Sequence, residues 1–254
     1  YASFIEDRED FEKFPWEELE KPEHLRPLYE VKDYLPEGMK VIANSGKIFT
    51  LTWMLMGFNN FATKLIMDED LVSDIFHKVA EVQLNLLDKI FDMPHVGAVW
   101  IVDDLAFGTG PIISPEHYRK HVFPWYREIA KRCHENDILL FQHSDGDLNS
   151  LMEDIIHIGT DLLHPIDPTC MSMTETKKKY GDRLALAGNV ANELLRAGTP
   201  EEVDARVKYL IKNVAPGGGY CLAAGNSVTE WGKFENYIAM LKAAEKYGSY
   251  PIRL

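Results

Sequence analysis

Five short polar clusters carry the side chains with the most evident chemistry: Asp103-Asp104, His143-Ser144-Asp145-Gly146-Asp147, His164-Pro165-Ile166-Asp167, Gly188-Asn189 and Gly225-Asn226-Ser227. The densest is the second. An imidazole two residues from a carboxylate can act as a general acid or base oriented by its neighbour. The same pair can offer donors to a cation such as Zn²⁺ or Fe²⁺. We read His143 and Asp145 as catalytic, with His143 as a candidate metal ligand in second place. Alternatively Asp145-Gly146 forms a turn, and for Asp147 a cap on the next helix is the preferred reading. Asp103 and Asp104 are a candidate carboxylate pair in which one charge raises the pKa of the other, or a pair in which only one is functional. His164 is either a pocket residue or packed under Pro165, and Asn189 and Asn226 are candidate substrate-binding amides.

These clusters have a common placement: each follows a short apolar run. The runs are 97–102 (GAVWIV), 138–142 (ILLFQ), 161–163 (DLL), 184–187 (LALA) and 220–224 (YCLAA), and a further run, 40–44 (KVIAN), precedes them. Nearly continuous apolarity over so few residues suits parallel strands buried on both faces. Longer amphipathic stretches lie between the runs. Leu71, Ile75, Val79, Val82, Leu86 and Ile90 recur at steps of three and four, which predicts one apolar helix face. Ser114-Pro115-Glu116 and Thr199-Pro200-Glu201-Glu202 have the form of helix starts, the latter with a capping box.

Alternating strands and helices imply βαβ units, and ligand-binding residues at strand ends imply a barrel whose site lies on one rim. The expected fold is therefore a (β/α)₈ TIM-type barrel in which the first one or two βα units are short or missing, since six strands are evident. An open doubly wound sheet is the rival, but no GxGxxG phosphate turn accompanies it. Residues 1–39, broken by Pro15, Pro22, Pro27 and Pro36, form an irregular and helical lead-in, and 40–254 form a single domain. The first residue, Tyr1, suggests that some chain precedes it.

Other features have plainer readings. His117 and His121 have the helical spacing of a metal clamp, yet Arg119 and Lys120 lie between them and favour a solvated surface. Cys221 lies within a strand run, where a thiol behaves as a small apolar residue. Trp53, Met54, Met56 and Phe58 line a pocket mouth or belong to the core. A net charge of −13 disfavours nucleic acid and anionic membranes as partners. Three cysteines without close spacing argue against a disulfide framework and for a reducing, cytoplasmic setting. No run reaches the roughly 18 apolar residues of a membrane span.

From residue 40 onward the sequence resembles the uroporphyrinogen decarboxylase and corrinoid-dependent methyltransferase superfamily. The likeness is carried by Gly46-Lys47-Ile48-Phe49-Thr50, by Asp103-Asp104 leading to Gly110-Pro111 and Ser114-Pro115-Glu116, and by Phe141-Gln142-His143-Ser144-Asp145-Gly146. Gly159-Thr160-Asp161 and Ala187-Gly188-Asn189-Val190 add to it. The resemblance implies a (β/α)₈ barrel with its pocket at these strand ends. Two departures bear on activity. Met54 stands where the decarboxylases carry Tyr, and Asn226 where they carry a last-strand His. The zinc-dependent branch implies Cys where this chain has Asp145 and Asn226, so the thiolate ligands are not found and a His/Asp metal site is what is left.

The leading expectation is a methyltransferase that moves a methyl group between a small methylated compound, such as an aryl methyl ether, and a corrinoid carried by a partner protein. A decarboxylase of the porphyrinogen type is the alternative, though Lys47 is the one basic residue placed near a strand end. A non-catalytic ligand- or corrinoid-binding barrel is the third.

Overall fold

The computed structural model describes residues 3–254 and forms two compact units. Each expected apolar run is a strand: β1 (Val41–Asn44), β2 (Val96–Val102), β5 (Leu139–His143), β6 (Leu162–His164), β7 (Ala185–Val190) and β8 (Tyr220–Ala224). A short pair, β3 (Ala106–Phe107) and β4 (Gly110–Pro111), was not foreseen. Helices separate the main strands along the chain. The fold is thus α/β, of the (β/α)-barrel class.

The first unit comprises 1–104, 113–142 and 157–159. Its lead-in has short helices at Arg8–Lys13 and Arg26–Val31 joined by 3₁₀ turns. Asp7 caps the first by accepting from the amides of Glu9 and Asp10. β1 and β2 pair in parallel, with Ala43 opposite Val99. The long helix Glu69–Phe91 buries every member of the predicted stripe, Leu71 through Ile90. Burying such side chains is worth roughly 1.5–3 kcal/mol each, so this one face is enough to fix the helix against its unit. Phe49 packs edge-on against both Phe61 and Tyr118, with ring centroids 5.8 and 5.1 Å away.

Ser114 caps the next helical segment, as its sequence predicts, by accepting from the His117 amide. A π turn over Tyr118–Val122 follows. It has a consequence for the histidine pair: His117 stays partly exposed, but His121 is not on a solvated surface. His121 is 3 % exposed, stacks on Phe76 and contacts Glu69 Oε1 through Nε2 at 2.8 Å. Glu69 also holds Lys120 at 2.8 Å. The hydrogen bonds from Lys120 and then His121 lower the Glu69 pKa to about 2. Periodicity alone could not show this, because the π turn changes which side of the helix these residues face.

The second unit comprises 105–112, 143–156 and 160–254. β3 and β4 form an antiparallel hairpin. β6, β7 and β8 pair in parallel, with Leu162 opposite Ala185 and Gly188 opposite Leu222. Their polar ends therefore emerge together at the carboxyl ends of adjacent strands. Helix Pro200–Val214 begins with the predicted capping box of Thr199 and Glu202. It buries Val203, Val207, Leu210 and Val214, and helix Phe234–Tyr247 buries Met240 and Ala243. Asn236, fully buried, ties the start of that helix down by donating to the Leu195 and Gly198 carbonyls. Cys221 departs from its expectation: it is exposed on β8, not packed as a small apolar residue.

Candidate active site

Within the second unit, His143, His164 and Asn226 come together in one cluster. His143 is the last residue of β5 and His164 the last of β6. Their Nδ1 atoms are 2.8 Å apart, and the rings meet edge to edge, their planes tilted by 29° and their centroids 5.0 Å apart. Both side chains are buried, at 8 % and 7 % exposure. On its other edge, His143 Nε2 is 3.8 Å from Asp145 Oδ1. Asp145 Oδ2 accepts from Asn226 Nδ2. His164 Nε2 lies 3.2 Å from the Ala224 carbonyl. Burial, then the neighbouring charge on His143, lowers the His164 pKa to about 4, against a smaller pull upward from Ala224.

The loop carrying Asp145 is fixed from several sides. The Ser144 amide donates to the His164 carbonyl at 3.1 Å, and its hydroxyl accepts from the Leu105 amide at 2.9 Å. Gly146 has φ +90°, and a Cβ there would sit 2.4 Å from the Ala106 carbonyl oxygen. Only glycine permits the loop to pass so close to β3. The Gly146 amide donates to Asp167 Oδ2 at 3.2 Å. Burial raises the Asp167 pKa, but hydrogen bonds from Thr169 and Gly146 outweigh it and hold the group below its ordinary range. Asp147 does not cap the next helix, which begins at Met152; its Oδ1 accepts from the Asn149 amide at 3.0 Å in a local turn.

Asn189 is 1 % exposed, and both ends of its amide meet this chain. Nδ2 donates to the Ile166 carbonyl at 2.7 Å, and Oδ1 accepts from Arg206 at 3.0 Å. Ile166 is held at φ +51°, an uncommon conformation for a β-branched residue. Asn189 therefore clamps the turn that follows His164. Gly188 belongs to the same device, because a Cβ there would lie 2.0 Å from the Pro165 carbonyl oxygen. The Tyr220 hydroxyl donates to the Gly188 carbonyl at 2.6 Å. Arg206 and Tyr209 border a cavity of about 380 Å³ that also takes in Asn189, Cys170 and Met173.

Asp103 belongs to the first unit, where it is 1 % exposed. Its Oδ2 accepts from the amides of Ile48 and Phe49 at 2.8 and 2.7 Å and from the Tyr126 hydroxyl at 2.5 Å. Its Oδ1 accepts from the Thr50 amide at 2.7 Å. It thus holds the amino end of helix Phe49–Met56 and with it the Gly46–Thr50 segment. Burial pushes its carboxyl above the ordinary range, against hydrogen bonds from Thr50, Tyr126 and Phe49. Burial, then the Asp103 charge, pushes the Tyr126 phenol far upward, so it remains a donor. Asp104, the next residue, is exposed. Of the candidate pocket residues in this unit, Met56 is fully buried, whereas Met54 and Phe58 are 47 % and 39 % exposed.

Sequence reasoning missed Ser144, Arg206 and Tyr220. Ser144 lay inside a quoted motif, and its hydroxyl beside Gly146 was the available signal. Arg206 and Tyr220 had none, since a helix position and a strand start mark no site. As for metals, the second unit places an imidazole and a carboxylate, His143 and Asp145, side by side as possible donors. A zinc–thiolate centre does not fit. Asn226, at one position the thiol-activating branch fills with Cys, spends its amide on Asp145, and Cys221 is exposed on β8.

Known proteins extend this picture. Uroporphyrinogen decarboxylase from Neisseria meningitidis serogroup C is 25 % identical over 234 residues, covering 87 % of this chain and 63 % of that protein. The enzyme of the same name from Methylobacillus flagellatus is 32 % identical over 79 residues, 31 % of this chain and 22 % of the relative. A solved methyltransferase from Methanosarcina mazei superposes with a TM-score of 0.75 at 18 % identity, covering 89 % of this chain and 64 % of that one. That likeness is one of fold. The chain spans just under two thirds of the Neisseria enzyme and of the Methanosarcina structure, and shorter shares of the other relatives. The uroporphyrinogen decarboxylase (URO-D) family model matches residues 2–247, and the chain belongs to that family.

Proposed function

We propose that this chain is a methyltransferase of its family, passing a methyl group from a small methylated compound, such as an aryl methyl ether, to a corrinoid carried by a partner protein. The observation that carries the reading is the pairing of His143 with an Asp145 that Asn226 orients. Demethylating an ether leaves an oxyanion, and the departing oxygen needs a proton. With Nε2 protonated beside Asp145, His143 holds that proton where a departing oxygen can take it. The reduced corrinoid supplies the nucleophile that accepts the methyl group. Binding and orientation belong to the groups around His143, and Asn226 keeps Asp145 turned toward the imidazole.

The departures from the decarboxylase pattern support the same reading. Met54 and Asn226 stand where decarboxylases carry Tyr and His, and poly-carboxylate substrates call for cationic partners. The name of the Methanosarcina structure points the same way. Decarboxylation is the second reading, favoured by the names of the curated relatives. The test is incubation of the full chain with a reduced corrinoid protein and a panel of methyl donors, following the visible spectrum of the corrinoid. Methylation of the corrinoid that is lost in His143→Gln supports the proposal. No spectral change with any donor, together with carbon dioxide release from a porphyrinogen, replaces it with the second reading.

A further inference from the structure

We propose that His164 is a positioning residue that fixes the tautomer of His143, so that His143 exchanges its proton only at Nε2. This rests on the reading of His143 as the general acid, but its geometry stands apart from any substrate. The argument begins at Ala224. A backbone carbonyl accepts and cannot donate, so the 3.2 Å contact requires a proton on His164 Nε2. A neutral imidazole has one N–H, which leaves His164 Nδ1 with a lone pair. That lone pair is 2.8 Å from His143 Nδ1. Two lone pairs at this distance would repel, so His143 Nδ1 carries the proton and donates. His164 is the partner that stays neutral, because it is buried against a backbone carbonyl, whereas His143 has a carboxylate 3.8 Å away to balance a charge.

The consequence lies at the opposite edge of His143. With Nδ1–H committed to His164, the neutral ring presents its lone pair at Nε2, 3.8 Å from Asp145 Oδ1. When His143 gains a proton it gains it there, and the Nδ1–H bond persists in both states. The same atom is thus base and acid. The backbone keeps the relay in register, since the Ser144 amide donates to the His164 carbonyl at 3.1 Å. It also explains why a second histidine is buried against the first, where an apolar residue would pack at lower desolvation cost. The general role of an orienting partner for a working imidazole is well founded.

Long-range ¹H–¹⁵N correlation spectra of the full chain, labelled at histidine nitrogens, test this without substrate. Resonances are assigned by their loss in His143→Gln and His164→Asn. The expected result is His143 protonated at Nδ1 and His164 protonated at Nε2. His164→Asn keeps an acceptor for the His143 Nδ1 proton and retains that state, whereas His164→Leu removes the acceptor and shifts His143 toward the Nε2–H form. In turnover, His164→Leu lowers kcat by about tenfold or more with KM little changed, and His164→Asn restores most of it. A wild-type His143 protonated at Nε2 alone overturns the inference, whether or not the leucine variant folds. An unchanged tautomer in a folded leucine variant does so too. The expected spectra without methyl transfer from any donor would leave the relay standing and remove the functional reading.

Discussion

Asn226 donates its side-chain amide to Asp145 Oδ2, joining the loop after β8 to the loop after β5 through residues 81 positions apart. This contact sets which way the Asp145 carboxylate faces. A hydrogen bond to a charged group is worth about 1.5–3 kcal/mol, and its loss removes one of the contacts that hold Asp145 toward His143. Asn226→Ala is therefore expected to lower the proposed methyl transfer about tenfold, and Asp145→Asn about a hundredfold, since the latter also removes the counter-charge of the imidazolium. Steady-state kinetics on both variants checks the order. Equal activity in wild type and Asp145→Asn would remove Asp145 from the mechanism.

The same two positions are where the resemblance to the zinc-dependent branch implies cysteines. Asp145 and Asn226 already touch, and His143 lies beside them, so cysteines at both positions bring two sulfurs and one imidazole nitrogen together. Three such ligands with one open position are the usual set for catalytic zinc. The D145C/N226C double variant is expected to bind one Zn²⁺ per chain after dialysis against chelator-free buffer, measured by elemental analysis. The single variants bind it at least about tenfold more weakly, having lost a thiolate ligand. Failure of the double variant to retain zinc would mean that the loops after β5 and β8 do not hold these side chains together.

His164 gives stability a pH dependence of predictable sign. Its folded pKa, about 4, lies below the ordinary value of 6.5, so between these values the unfolded chain binds a proton that the folded chain refuses. Stability is then fully present above pH 6.5, falls as pH drops from 6.5 toward 4, and changes no further from this group below 4. The contribution is at most roughly 3.4 kcal/mol, from 1.36 kcal/mol per pKa unit. Urea unfolding in the presence of chelator should show the slope in wild type. His164→Asn should flatten that part of the curve, and an unchanged slope would place the titration elsewhere.

Much of this architecture is legible in the sequence, for a physical reason. Strands buried on both faces leave continuous apolar runs, and all six were found. Helix caps use few residue types, so Ser114 and Thr199 were recognisable before any coordinates. The β3–β4 pair was not, because two-residue strands leave no period. At the site, strand-end placement found His143, Asp145, His164 and Asn226, which the second unit brings together. What sequence could not give is where each polar atom is spent. Asn189 has the same residue type and strand-end position as Asn226, yet it holds the Ile166 turn and Arg206. Asp103 and Asp104 are adjacent, yet one is buried among amide donors and the other exposed. Such differences arise from loop geometry, which local composition does not encode.

Gly146 tests how tightly the Asp145 loop is held. A methyl group there would meet the carbonyl oxygens of Ala106 and Phe107 at 2.4 and 2.7 Å, from a backbone at φ +90°. Both the clash and the conformation oppose alanine. Gly146→Ala is expected to destabilise the protein by more than about 2 kcal/mol and to lower activity beyond what the remaining folded fraction explains. Denaturation midpoints and specific activity at low temperature separate these effects. Full activity per folded molecule would show that Asp145 tolerates a shifted loop.

Asp103 makes the opposite case, a carboxylate in a strand-end motif whose neighbours are all donors. The Ile48, Phe49 and Thr50 amides and the Tyr126 hydroxyl all donate to it, which favours the charged form against the burial that pushes its carboxyl upward. Asp103→Asn puts an amide N–H against one of these donors and removes the charge at a helix amino end. Losing one side of a buried charged network costs about 3–5 kcal/mol, and this variant is expected to fall in that range. Tyr126→Phe removes one donor and leaves three amides, so about 1–2 kcal/mol is expected. The decisive comparison is between stability and turnover. If Asp103 acts by holding the Gly46–Thr50 segment, Tyr126→Phe lowers the unfolding midpoint and leaves kcat near wild type. A large loss of kcat in Tyr126→Phe at unchanged stability would instead place this buried pair in the chemistry.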